Sequence, residues 1–164
     1  MKYCNELTEN HNIVKKYPLI LREIKQILID EGLVMSNTSP FFSNTNYAID
    51  GDKLEEFLAI SEERIKNKSM DLVFGIKNNS NHKFQLVELK LRSTTFHHLD
   101  KSSFLGKVLG TKNALGGNNI NSDYYIVFQD TVIQQARRYL FRANPRLNNQ
   151  FKAVNIDGLY AKFF

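Results

Sequence analysis

The sequence predicts a mixed α/β (α+β) domain, with a mixed central β-sheet flanked by helices. Three observations predict it. Residues 71–93 read as two strands joined by a polar segment, which is an antiparallel hairpin. Helical and strand periods alternate on both sides of that hairpin. The resulting order is helix, strand, helix, hairpin, helix, strand, helix, strand, which argues for a mixed sheet packed under helices.

The first helix is expected over 12–31, NIVKKYPLILREIKQILIDE, where Leu21, Ile24, Ile27 and Leu28 recur at helical spacing. Pro18 suits a first turn and Gly32 a C-terminal stop. LVMSN (33–37) reads as a short strand and SNTSPFFSNTN as a loop. A second helix is expected from Asp52 to Lys66, with Asp50 or Asp52 near its N-cap. Leu54, Phe57, Leu58, Ser61 and Ile65 would form its inner stripe, and Glu55, Glu56, Glu62 and Glu63 would face water.

DLVFGI (71–76), the loop KNNSNHK and KFQLVELKLRS (83–93) make the hairpin. A helix follows over 102–115, with Phe104, Val108, Thr111 and Leu115 inside and Gly116-Gly117 closing it. DYYIVFQD is a strand, and TVIQQARRYLFRANP is a helix that Pro145 ends. FKAVNIDGLYAKFF is expected as a strand or hairpin. Its tail, LYAKFF, reads as a terminal core strand, with a dimer contact as the alternative.

A chain of 164 residues suggests one domain, and its 42% hydrophobic and 24% charged content is ordinary for a globular protein. The single cysteine, Cys4, gives neither an internal disulfide nor a metal framework. The polar N-terminus lacks a signal-peptide core, and no run approaches the roughly 18 apolar residues of a membrane span. A cytoplasmic, reducing setting is the expectation. Residues 1–80 carry 10 Lys+Arg against 12 Asp+Glu, whereas residues 81–164 carry 12 against 5. Such asymmetry favours a polyanionic partner at one side.

The chemistry lies in QLVELKLRS. Successive strand residues face opposite ways, so Val87, Leu89 and Leu91 share one face while Leu86, Glu88, Lys90 and Arg92 share the other. The hairpin brings Asp71 towards Glu88 and Lys90. Two converging carboxylates invite a hard cation, and Mg²⁺ is usually held by one or two carboxylates with waters and substrate phosphate. The Leu89 carbonyl is a further candidate ligand. Lys90 would act on a metal-activated water or on charge developing at phosphorus. Alternatively, the row is an ordinary charged strand face.

Asp71, a hairpin and Glu88-Leu89-Lys90 resemble the PD-(D/E)XK nuclease superfamily, over roughly residues 12–130. Met70 stands where the family's name has proline. The resemblance implies a restriction-endonuclease-like αβββαβ core and a metal-dependent endonuclease. Asp71 and Glu88 would bind Mg²⁺ (Mn²⁺ substituting), and Lys90 would be the catalytic lysine. A preceding helix often supplies a Glu in this family. Glu23 is the first candidate, then Glu63, with Glu62 also open.

Arg92, Lys107, Lys112, Arg138 and Arg142 are candidate phosphate contacts, with Arg137 and Arg146 in the same basic band. His97-His98 has no accompanying ligand cluster and reads as loop. The substrate is expected to be DNA, with RNA as the alternative. A non-catalytic nucleic-acid-binding or assembly module of the same fold is the competing class. Cutting both strands of a duplex in one encounter would favour a homodimer.

Overall fold

The computed structural model describes residues 1–34, 39–79, 81–95, 100–117, 119–143, 147 and 149–164. His97, His98, Pro145, Arg146 and part of the LVMSN stretch lie outside the described residues. Among the described residues there are seven strands and seven α-helices. They are β1 (Lys2–Tyr3), α1 (Asn5–Glu9), α2 (Asn12–Lys16), β2 (Leu21–Glu23), α3 (Ile24–Asp30), β3 (Tyr47–Asp50), α4 (Gly51–Ser61), β4 (Leu72–Asn78), β5 (Asn81–Lys90), α5 (Lys101–Ala114), β6 (Tyr124–Phe128), α6 (Ile133–Arg142), β7 (Phe151–Val154) and α7 (Ile156–Phe163).

The strands form one mixed sheet in the order β2-β3-β4-β5-β6-β7, with β1 also paired to β4. β2 to β5 run antiparallel in succession, while β5, β6 and β7 are parallel. Each face is covered. Val73, Leu86 and Ile126 pack with Leu54 and Leu58 of α4, Phe104 and Val108 of α5, and Ala136 and Leu140 of α6. On the other face Leu72, Phe74, Val87, Leu89 and Val127 pack with α3 and α7.

The hairpin is tighter than the sequence suggests. β4 and β5 pair from Leu72↔Val87 to Asn78↔Asn81, so little of KNNSNHK is loop. Asn79 takes φ 48° at that turn. α5 buries Phe104, Val108 and Thr111, followed by the buried Leu115, and Gly116 and Gly117 take positive φ beyond it.

The single helix expected over 12–31 is broken. Pro18 opens a 3₁₀ turn, Pro18–Ile20, and Leu21–Glu23 then pairs with β3 as an edge strand. Only Ile24, Ile27 and Leu28 remain as a helical stripe. β3 occupies a stretch with too few residues to show a period.

α4 stops at Ser61, so Ile65 is exposed rather than internal and Ser61 is exposed as well. Glu55, expected in water, is buried and paired with Arg64 at 2.9 Å. The C-terminal tail is a helix, not a strand: Asn155 caps α7 by accepting from the Gly158 N–H, and Leu159 and Phe163 enter the core.

Residues 67–71 are wedged between two helices before β4 begins. The Met70 N–H donates to Thr111 Oγ1 at 2.8 Å, and the Gly51 N–H to the Asp71 carbonyl at 3.1 Å. A Cβ at Gly110 would overlap the Lys68 carbonyl, and one at Gly51 the Met70 carbonyl. These contacts fix α5 over the start of β4.

Gly110→Ala is therefore expected to reverse the usual helix preference. Alanine in an open helix position would stabilise by roughly 1 kcal/mol. Here overpacking should destabilise by about 1–3 kcal/mol. Urea unfolding of Gly110→Ala decides it, and a variant as stable as the parent would contradict this packing.

Candidate active site

Continuing the β4–β5 ladder one residue beyond Leu72↔Val87 sets Asp71 beside Glu88. Both face the α5 side of the sheet, near the C-terminal end of β5. That face is covered by helices rather than open to solvent, unlike an ordinary charged strand face. Glu88 is 0% exposed and Asp71 7%.

Lysines surround the acids. Lys107, on α5 one turn before Gly110 and Thr111, places Nζ 2.7 and 2.9 Å from the two Glu88 oxygens and 3.3 Å from Asp71 Oδ1. Lys90 Nζ lies 2.5 Å from Glu88 Oε1. Asp71 Oδ2 accepts from the Leu89 N–H at 2.5 Å. The N–H and C=O of a strand residue point the same way, so the Leu89 carbonyl is also directed towards the β4 side. Beside the cluster is a cavity of about 280 Å³, lined by Glu88, Lys90, Ser93, Asp100, Ser103, Phe104 and Lys107.

Burial first, and the Glu88 charge second, push the Asp71 carboxyl up to about 7. Lys107, the Leu89 N–H and Lys90 offset part of that rise. Burial works against the Lys107 ammonium, but the charges of Glu88 and Asp71 outweigh it and raise its pKa.

Glu23 does not join the site. It ends β2 opposite Tyr47, two strands from β4, and pairs with Lys25 at 2.7 Å. Glu62 pairs with Arg64, and Glu63 sits exposed in the turn after α4 with φ 51°. The helical acid within electrostatic reach is Glu31, at the C-cap of α3. Burial, then the charges of Asp71 and Asp52, raise its pKa, while Lys90 and Arg92 act the other way. α3 ends where Gly32 led the sequence to place its end, but the approach of Glu31 to Asp71 and Lys90 depends on the other elements that bring them together. The only sequence signal was its place just before Gly32.

Arg92 ties this end of α3 to β5: its Nη2 donates to the Asp30 carbonyl at 2.6 Å, and its stem lies against Gly32. Lys68, not singled out in the sequence, reaches Ser103 at the cavity rim at 3.3 Å. Lys112 sits towards the far end of α5, with Nζ 5.4 Å from the Tyr124 ring centre. α6 starts near the site end of β6 and runs away from it, so Arg138 and Arg142, both exposed, lie farther from the acids.

Among the described residues no group of three or more His, Cys, Asp or Glu is gathered as a metal cluster. Two carboxylates with a cation already seated between them nevertheless match the modest protein ligation that Mg²⁺ takes. No family model, curated protein or solved structure matches the chain. Among the described residues no helix is long and apolar enough to cross a membrane.

The raised Asp71 pKa predicts a pH effect in metal-free protein. The folded chain holds this proton up to about pH 7, whereas an unfolded chain releases it near about 4. Stability from this group is full below the lower value and lost as pH rises through the upper one. Asp71→Asn should flatten that fall, which between pH 5 and pH 8 amounts to about 3 kcal/mol. Urea unfolding in EDTA at pH 5 and pH 8 measures it, and parallel curves for both proteins would contradict the assignment.

Proposed function

We propose that this protein is a metal-dependent endonuclease that hydrolyses phosphodiester bonds, with DNA as its substrate. The observation that carries the reading is the convergence of Asp71 and Glu88, from adjacent strands, on one cationic point with Lys90 beside it. The order of elements supports it as well. α3, β3, β4, β5, α5 and β6 follow the αβββαβ order that the resemblance to PD-(D/E)XK nucleases implies, with α4 inserted after β3.

Asp71 and Glu88 would hold Mg²⁺ or Mn²⁺, with the Leu89 carbonyl as a further oxygen and Glu31 at the edge of the site. When bound, the ion would polarise the phosphoryl group and lower the pKa of a bound water. Lys90, held on Glu88 and half-buried, is placed to orient the attacking water or to balance charge developing on phosphorus. The helix layer keeps this end of the sheet at low dielectric, where such charges act strongly. Arg92, Lys68 and the exposed arginines of α6 supply the positive surface a polyanion requires.

The test is cleavage of single- and double-stranded DNA and of RNA in Mg²⁺ or Mn²⁺, with EDTA as control. Lys90→Ala should lose cleavage by on the order of 10²-fold or more, as for other positioned catalytic groups. It should still bind divalent metal, because Asp71 and Glu88 remain. Because Asp71 is buried, Asp71→Asn rather than Asp71→Ala is the variant to compare, and it should lose metal affinity together with cleavage. Cleavage that survives EDTA, or a fully active Lys90→Ala, would remove this mechanism. Cleavage of RNA alone would redirect the substrate assignment.

A further inference from the structure

We propose that Lys107 is an internal stand-in for the divalent ion: its ammonium occupies the seat between Asp71 and Glu88 when no metal is bound, and leaves that seat when metal enters. This rests on the metal-dependent reading above and adds a competition inside the site.

The contacts are those of a bound cation. An ammonium has three donors, and Nζ of Lys107 lies within reach of three of the four carboxylate oxygens, at 2.7, 2.9 and 3.3 Å. The fourth, Asp71 Oδ2, is taken by the Leu89 N–H. Lys90 differs: its ion pair is with Glu88 alone, so it does not bridge the two acids. Mg²⁺ needs oxygens at about 2.0–2.1 Å. An ion drawing Asp71 and Glu88 to that distance leaves no room for the ammonium between them.

Charge leads to the same conclusion. With Asp71 ionised, two carboxylates and two lysines sum to zero, a balance suited to a site whose acids are buried. A divalent ion added to the intact set would leave two uncompensated positive charges in a confined space. Withdrawal of one ammonium lowers that excess, and substrate phosphate can then meet the freed charge.

The exit is present. The Lys107 side chain is 20% exposed and already borders the cavity lined by Lys90, Ser93, Asp100 and Ser103. Its flexible four-carbon stem allows the ammonium to swing there without moving α5.

Mn²⁺ titration by calorimetry, into metal-stripped parent and Lys107→Met at one pH, tests the competition. Removing the rival cation should tighten Mn²⁺ binding by about tenfold or more. Equal or weaker binding by Lys107→Met overturns the stand-in role and leaves the metal reading intact. Absence of binding in both proteins overturns the two together.

A second measurement needs no variant. Acetylation of the parent by an amine-reactive ester, read residue by residue by mass spectrometry, should show Lys107 protected without metal. Saturating Mn²⁺ at the same pH should raise its labelling several-fold, while the exposed Lys15 stays unchanged. A Lys107 that remains protected in saturating Mn²⁺ overturns the proposal even if Lys107→Met fails to fold.

Discussion

Two carboxylates buried side by side under a layer of helices demand cations, and much of this architecture follows from meeting that demand. Glu88 is fully buried and Asp71 nearly so. Removing one partner from a buried charge cluster typically costs about 3–5 kcal/mol, because the remaining charge is stranded. Lys107 must therefore arrive where it does, and it rides on α5. The contacts one turn further along, Thr111 with Met70 and Gly110 with the Lys68 carbonyl, hold α5 against the chain that leads into Asp71. Backbone packing and charge compensation are thus one constraint.

The location of the cluster on the sheet also has a physical reason. Deeper along the same face, Val73, Leu86 and Ile126 form an apolar core under α4, α5 and α6. Charged groups are tolerated only where that core meets an edge, at the C-terminal end of β5. There β5 is antiparallel to β4 on one side and parallel to β6 on the other. The cavity beside Glu88 and Lys107 lies in that region.

What the sequence revealed followed from element length and period. The hairpin and α5 were legible because each repeats its pattern enough times: seven residues of β4, ten of β5, and a stripe through Phe104, Val108 and Thr111. The three-residue β2 and four-residue β3 carry no usable period, and Leu21 fits a helical stripe as well as an edge strand. That ambiguity hid the start of α3 at Ile24 and the edge strand that carries Glu23 away from the site. Lys107 was legible only as a candidate phosphate contact on α5. That it turns inwards depends on two acids supplied by other elements. Glu55 was misplaced for a related reason: Arg64, nine residues away, folds back after α4 ends, and the Asn67 N–H adds a 3.0 Å contact.

The same groups then carry two requirements that pull against each other. A carboxylate pair in open water would exchange ions at little cost, but high dielectric would weaken its hold on any one ion. Burial strengthens that hold and penalises the bare pair, which is why Asp71 retains its proton to unusually high pH. A tethered ammonium relieves the penalty without supplying the geometry of a metal ion, since it donates hydrogen bonds and accepts none. Lys107 thus solves the folding problem posed by these acids, while the two-residue spacing of Glu88 and Lys90 places a second lysine on the same face, paired with Glu88 alone.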